Sequence, residues 1–288
     1  MDIRYAKPAD GLQPLWRACF QEDGTEYFAR EYDPDRVIVA ADEADKAAAM
    51  LHWLPQTVSV PGRGGASGGE INAAYFLGIG TGPEHRGKGL AGDLVEQMLF
   101  ELYLRGVTLA FLLPCGARMA QFYQKYGFRQ IGLRPVSGEM PEPDGDERLV
   151  KEITPPVAET LDALYQTMYA SCAHPRRGAE RWARIAAEYD VRLGEGRYRV
   201  YDGGTLMEDS SLRLDPSGPR GETGACVRVI RAEAVREVLS GSGYTVPNGP
   251  WYDAPCPWNG RVTGGADPGM LLDDLPFAAN LLYNERVD

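Results

Sequence analysis

The stretch GPEHRGKGLA, residues 82–91, decides the fold, because it joins an apolar strand segment to an amphipathic helix. The segment before it, AAYFLGIGT at residues 73–81, is apolar and rich in residues that favour strands. After it, apolar residues recur every four positions from residue 90 to residue 102, which predicts a helix that ends before Gly106. The stretch is therefore a glycine-rich turn between a strand and a helix.

Three ligand-binding patterns overlap in this turn. A phosphate-transfer P-loop requires a hydroxyl residue where Gly89 stands, so the magnesium ligand of that site is missing. A dinucleotide fingerprint matches residues 87–92, but it needs an acidic residue about 20 positions later, where the next strand ends in Leu-Leu-Pro-Cys. The third pattern, [R/Q]-x-x-G-x-[G/A], is matched at every fixed position by residues 86–91. The third interpretation is favoured over an empty turn once the next motif is considered.

A second motif lies downstream, where residues 122–128 read FYQKYGF. The two motifs, in this order and separated by one helix and one strand, resemble the GNAT superfamily of acyl-coenzyme A-dependent N-acyltransferases. Together with LWRACF at residues 15–20, they resemble the enhanced-intracellular-survival type of that superfamily. The resemblance implies a degenerate second acetyltransferase-like region and a C-terminal region similar to sterol carrier proteins.

The predicted fold class is α/β, a GNAT fold with a mixed α+β sheet and splayed central strands, followed by a smaller α+β C-terminal domain. The splayed strands correspond to residues 73–81 and 107–113. The acidic, proline-rich stretch MPEPDGDE at residues 140–147 predicts a boundary between a GNAT domain, 1–140, and a second region, 148–288. Residues 225–239 resemble the start of the sterol-carrier-like part.

The resemblance also implies where acyl-coenzyme A binds. Its pantetheine arm pairs with the exposed backbone of Ile79, Gly80 and Thr81, and a backbone N–H near Gly78 polarises the thioester carbonyl. The pyrophosphate lies on the turn, where free backbone N–H groups and the positive end of the helix dipole attract an anion. The residues of this part of the predicted site are Arg86, Gly87, Lys88, Gly89, Leu90 and Ala91.

Candidate catalytic residues follow from the same resemblance. Tyr123 matches the phenol that protonates the departing thiolate, although the same ring can simply pack on the cofactor. The terminal carboxylate of Asp288 is a candidate base, the alternative being that the C-terminal stretch only docks. Glu22, Asp23 and Glu26 lie in the helix-pair region that covers the acceptor, either as binding residues or as a solvated face.

The composition limits the partners. The 288 residues carry a formal charge of −11, which disfavours nucleic acid and mildly favours cationic partners. Five dispersed cysteines and three dispersed histidines predict neither a disulfide framework nor a metal site. The sequence shows no signal peptide and no run of 18 apolar residues, so we expect a cytoplasmic protein with no membrane partner and a possible homo-oligomer.

The resulting hypothesis is an N-acetyltransferase that moves an acetyl group from acetyl-CoA to a primary amine by direct attack within a ternary complex. The acidic balance favours a cationic small molecule as acceptor. Two alternatives stay open: a non-catalytic acyl-CoA sensor, and an enzyme that acetylates proteins or peptides.

Overall fold

A computed structural model describes residues 1–133, 146–211, 225–246, 272 and 277–278 of the chain. The strands are β1 (Asp2–Tyr5), β2 (Val37–Ala41), β3 (Ala47–Val60), β4 (Gly69–Thr81), β5 (Leu109–Leu112), β6 (Arg129–Gln130), β7 (Gly132–Leu133), β8 (Arg148–Leu149), β9 (His174–Pro175), β10 (Asp190–Gly194), β11 (Arg197–Asp202), β12 (Thr205–Asp209), β13 (Cys226–Val229) and β14 (Phe277–Ala278). The helices are α1 (Gln13–Phe20), α2 (Thr25–Arg30), α3 (Leu90–Leu104), α4 (Ala117–Gln124), α5 (Pro155–Met168), α6 (Ala179–Glu188) and α7 (Ala232–Gly241).

The main sheet has the strand order β1-β2-β3-β4-β5-β13-β6, with β9 paired to β3 outside this path. Its neighbours are antiparallel except β4 and β5, which run parallel. Parallel pairing is limited to Ala73–Tyr75 against Leu109–Phe111. Strand β4 continues to Thr81 without β5 beside it, so the two strands splay apart, as the sequence predicts.

Two apolar cores cover the two faces of the main sheet. Helix α3 packs its predicted stripe, which includes Leu94, Met98 and Leu102, on one face. Helices α1 and α7 pack on the other face, around Trp16 and Val235. Both faces of the central strands are therefore dry, which explains their nearly continuous apolar sequence.

The sheet does not divide at residue 140, where the sequence predicted a domain boundary. Strand β13 lies between β5 and β6 and is antiparallel to both, with Val227 opposite Phe111 on one side and Arg129 on the other. Strand β9 adds to the opposite part of the sheet through Val58 and Ser59 of β3. The second half of the chain thus contributes strands to the sheet of the first half, because β5 and β6 leave a position between them that no residue of 1–133 fills.

A smaller antiparallel sheet, ordered β12-β11-β10-β8, packs against α5 and α6. The side chains of Trp182, Tyr165 and Tyr198 fill its core. The sequence predicts helices at residues 157–172 and 179–189 and a strand at residues 197–202. All three elements are present, with small changes at their ends. The prediction that residues 225–239 begin a sterol-carrier-like region is not confirmed, since β13 belongs to the main sheet and α7 packs on it.

Candidate functional site

Strand β4 contains a bulge just beyond the point where the splay begins. Met50 of β3 pairs with Gly80 and His52 pairs with Leu77, so Gly78 and Ile79 together face the single residue Leu51. Gly78 has φ +57°, which a glycine adopts without steric cost. A bulge of this kind turns backbone groups out of the ladder. The bulge lies at the position where the sequence predicted an N–H group aimed at a thioester carbonyl.

Helix α1 packs directly on this bulge, because two glycines leave room for it. A Cβ atom on Gly78 would lie 2.3 Å from the Trp16 ring, and a Cβ atom on Gly80 would lie 2.8 Å from Cys19 Sγ. Neither position tolerates a side chain without moving the helix. The glycines at alternate positions of an otherwise apolar strand are therefore required for the close approach of α1 to β4.

The turn after β4 is open and positively charged. Gly87 and Gly89 have φ of +78° and +82°, and a Cβ atom on either would meet nothing within 4 Å. Arg86 and Lys88 are exposed beside them. The turn thus combines a left-handed backbone, two cations and free space, which suits a phosphate that approaches the backbone closely.

Helix α3 begins at this turn without a side-chain cap. Gly89 is the N-cap residue and no side chain bonds to the first turn. The first intrahelical bond is the one that the Gly92 N–H donates to the Gly89 carbonyl, at 2.9 Å. The N–H groups of Leu90 and Ala91 precede it and point toward the turn, as at any helix start. All six residues predicted to hold the pyrophosphate therefore lie together, on the turn and the first helical turn.

Gly92 has a different role from the other glycines of this region. A Cβ atom there would lie 1.9 Å from the Tyr126 hydroxyl. Tyr126 follows α4, so Gly92 lets the residue after α4 pack against the start of α3. The match of residues 87–92 to a dinucleotide fingerprint therefore has a packing explanation.

Tyr123 lies on α4 and is buried in the core beneath α3. Its ring packs on Phe128 at 5.9 Å, and Phe128 packs on Phe76 of β4 at 5.9 Å. The aromatic contacts thus connect α4 to the splayed part of β4. Burial raises the pKa of the Tyr123 phenol above its ordinary value, with Cys115 and Cys226 acting in the same direction. The phenol is therefore protonated throughout the neutral range.

A buried cluster next to the bulge was missed in the sequence. His52 is fully buried, and its Nδ1 lies 2.7 Å from the Tyr27 hydroxyl. Trp16 stacks on Tyr27, with ring centroids 5.1 Å apart, and meets His52 edge-on at 5.4 Å. Burial lowers the pKa of His52 to about 3, so the imidazole is neutral. His52 was overlooked because a lone histidine in an apolar strand carries no spacing signal.

Two of the predicted acceptor residues, Glu22 and Asp23, lie between α1 and α2 and contact side chains of α1. The Trp16 indole N–H donates to Glu22 Oε1 at 3.0 Å, and Asp23 pairs with Arg17 on the surface. Glu26 lies in α2, but its side chain is outside the described part of the structure. Asp288 also lies outside the described residues.

Within the described residues, no group of three or more histidine, cysteine, aspartate or glutamate side chains is placed to hold a metal ion. No helix in that same part of the chain is long and apolar enough to cross a membrane.

Comparisons with known proteins agree with this geometry. Residues 3–131 match the family model of the acetyltransferase (GNAT) domain. The chain is similar in fold to Eis1 from Mycobacterium abscessus, with a TM-score of 0.58 and 17% identity, over 88% of this chain and 80% of that one. It is also similar to a GCN5-related N-acetyltransferase from Kribbella flavida, with a TM-score of 0.57 and 17% identity, over 81% and 72% of the two chains. A search of curated protein sequences found no match.

The family match and the fold together indicate a GNAT-type N-acyltransferase that uses acetyl-CoA. The match covers residues 3–131 of the 288 residues. Within the described residues, no strand pairs with residues 79–81 on the side of β5, and the turn that follows is open and positively charged.

Proposed function

We propose that the protein transfers the acetyl group of acetyl-CoA to a primary amine by direct attack in a ternary complex. The observation that carries the proposal is the bulge at Gly78, which lies just beyond the point where β4 leaves β5 and is followed along the chain by the uncapped start of α3. Pantetheine running along Ile79, Gly80 and Thr81 would bring the thioester to this bulge. A bulge N–H would then stabilise the oxyanion that forms when the amine attacks.

Tyr123 is the proposed partner of the leaving thiolate. An ordinary phenol has a pKa of about 10 and a thiol of about 8.5, so full proton transfer to the thiolate is already uphill. Burial raises the phenol pKa further. We therefore propose that Tyr123 stabilises the departing sulfur mainly by donating a hydrogen bond, and that the thiolate takes its proton as it leaves the site.

The base that deprotonates the amine is proposed to be the terminal carboxylate of Asp288. Phe277 is the described residue that supports this role. It is fully buried and packs on Phe111 of β5 at 5.6 Å, one residue before the end of that strand. Eleven further residues in extended form span up to about 36 Å, which is ample for reaching the splay.

The acceptor is proposed to be a cationic small molecule. The formal charge of −11 attracts such a molecule over a long range. Glu22 and Asp23 stay candidates for its binding, although each already has a partner. An acyl-CoA sensor and a peptide acetyltransferase share the same cofactor geometry and differ in the outcome of the assay below.

The test is a thiol-release assay with acetyl-CoA and a panel of polyamines, aminoglycosides and amine-bearing peptides. Turnover with a polyamine or aminoglycoside is the expected result. Turnover with peptides alone would move the acceptor to the peptide class. Binding of acetyl-CoA without turnover on any amine would favour the sensor and contradict the proposed reaction.

A further inference from the structure

A polar groove lies on the far side of β3 from the splay. It has a volume of about 860 Å³ and is bounded by the end of α2, by β3 and by the start of α6. A volume of this size is typical of sites for small molecules, which are about 300–1,000 Å³. Residues from the first part of the chain and from the part that contains the second sheet therefore line the groove together.

The groove forms because β3 has a gap along one edge. Strand β2 pairs with β3 as far as His52, and β9 begins to pair at Val58. Within the described residues, no strand pairs with this edge of β3 between His52 and Val58. The Arg176 N–H donates to the carbonyl of Thr57, the last residue of the gap, at 2.7 Å. Pro55 stands in this gap, where its lack of an N–H costs no ladder bond.

The groove is separate from the acyl-CoA site. Strand β4 lies between them, and its residue at the groove is Asn72, which precedes the segment paired with β5. The splay begins at Phe76, four residues and about 13 Å further along the strand. A ligand in the groove therefore does not touch the turn at residues 86–91.

The lining of the groove carries an excess of positive charge. It contains five arginines, namely Arg30, Arg36, Arg176, Arg181 and Arg184. Three carboxylates accompany them, those of Glu31, Asp33 and Glu180. Arg176 also pairs with Glu70, which lies outside the lining. With Glu70 counted, five arginines face four carboxylates, in a chain whose overall formal charge is −11.

Carboxylates pair with the guanidinium groups of Arg36, Arg181 and Arg184 and orient them. Glu31 Oε1 lies 2.5 Å from Arg184 Nη1 and 3.9 Å from Arg181 Nη1. Glu180 lies 2.5 Å from Arg184, and Asp33 lies 3.2 Å from Arg36. Oriented guanidinium groups lose little entropy when they bind a planar anion, and they favour phosphate and carboxylate groups.

We infer that this groove is a second ligand site, which binds a small anion through phosphate or carboxylate groups. The arginines around the groove outnumber the carboxylates, which matches an anionic ligand. Tyr32, Pro34 and Leu54 also line the groove and give the uncharged part of the ligand an apolar surface. Both parts of the chain are needed to form the site, because α2 and α6 each supply arginines.

Calorimetry on the full chain tests the inference with inorganic pyrophosphate and with citrate as probes. The protein is first saturated with CoA, so that the turn at residues 86–91 is occupied. We expect one further equivalent of probe to bind. Binding of either probe, or of both, supports the site. The probe that binds shows whether the site accepts phosphate groups, carboxylate groups or both.

The matched variants assign that binding to the groove. Arg36→Gln with Arg176→Gln removes two arginines that are 38% and 48% exposed, so we expect the chain to fold. It should bind the probe at least about tenfold more weakly, with CoA affinity unchanged. Lys151→Gln with Arg236→Gln removes the same charge from exposed positions elsewhere and should bind the probe like the unaltered chain. No additional binding in the CoA-saturated protein, or equal loss in both double variants, would overturn the inference. The CoA titration itself reports on the acyl-CoA site independently.

Discussion

At the scale of single residues, Gly78 connects the fold to the chemistry. Its positive φ builds the bulge, and its missing side chain admits Trp16. We expect Gly78→Ala to lower the free energy of unfolding by about 3 kcal/mol, through backbone strain and overpacking together. Gly64→Ala is the control, since Gly64 has a similar φ of +59° with nothing within 4 Å, and should cost about 1 kcal/mol. Urea denaturation of both variants measures the difference, and equal losses would remove the packing role of Gly78.

Tyr123 carries the prediction on rate. Tyr123→Phe keeps the aromatic contacts but removes the hydroxyl, so kcat should fall by about 100-fold. The affinity for CoA, measured by calorimetry, should not change. Because burial raises the phenol pKa, the rate of the unaltered enzyme should show no alkaline loss from Tyr123 in the neutral range. An unchanged kcat in the variant would reduce Tyr123 to a packing residue.

His52 gives a prediction on pH and stability. The folded imidazole has a pKa of about 3 against 6.5 for the ordinary group, so below pH 6.5 the unfolded chain binds a proton that the folded chain does not. The contribution of His52 to the free energy of unfolding is fully present above pH 6.5 and is lost as the pH falls toward 3. Between pH 6.5 and about 5 the loss is about 1.5 kcal/mol.

His52→Asn keeps a partner for the Tyr27 hydroxyl without a titrating ring. The stability difference between the unaltered chain and this variant should therefore shrink by that amount over the same pH interval. Denaturation curves at several pH values measure it, and the contributions of other acids cancel in the comparison. Parallel pH dependences for the two proteins would show that His52 is not held neutral.

At the scale of elements, the second sheet is held by a buried ion pair. Arg177 donates to both oxygens of Glu208 at 2.6 and 2.9 Å, and the Tyr198 hydroxyl donates to the same carboxylate at 2.5 Å. Arg177 also stacks over Tyr165 at 4.2 Å. We expect Glu208→Gln to destabilise the protein by about 4 kcal/mol, because it leaves a buried cation without its counter-charge. Replacing both partners, as in Arg177→Met with Glu208→Leu, should recover most of that loss in urea denaturation. A double variant as unstable as Glu208→Gln would contradict this explanation.

Elements with strong local signals were predictable from the sequence. Helix α3, strand β4 from residue 73 onward, and the turn between β4 and α3 follow from periodicity and glycine positions. Strands β10 and β12 were not predicted, since they are short and carry charged residues such as Arg192 and Glu208. Only the folded structure shows that these positions belong to strands of the second sheet. Long-range pairing was also beyond the sequence. The apolar run of β13 predicts a strand but does not say which strands lie beside it.

The same limit applies to the candidate site. The residues on one turn, 86–91, could be predicted together because a motif keeps them adjacent in sequence. The cluster of Trp16, Tyr27 and His52 could not, because three elements bring it together and no motif spans them. The groove at β3 depends on α2 and α6, which come from distant parts of the chain.

At the scale of the whole molecule, β13 makes the first sheet depend on the second half of the chain. Without it, the paired edges of β5 and β6 and the apolar side chains facing Val227 and Val229 are open to water. We expect a fragment of residues 1–140 to show no cooperative thermal unfolding, whereas the full chain shows one. Calorimetric melting of both proteins tests this. A cooperative transition in the fragment, together with CoA binding, would show that residues 1–140 are an independent domain, as the sequence predicted.

The central claim is that the strand edge at residues 79–81 and the turn at residues 86–91 bind acetyl-CoA for transfer. Calorimetric titration of acetyl-CoA into the full chain tests this claim most directly, since it depends on no acceptor. We predict one equivalent bound, with affinity reduced when Gly89→Val fills the open side of the turn and strains its backbone. An unaltered chain that binds no acetyl-CoA would contradict the account, and the glycine-rich stretch would then be only a turn.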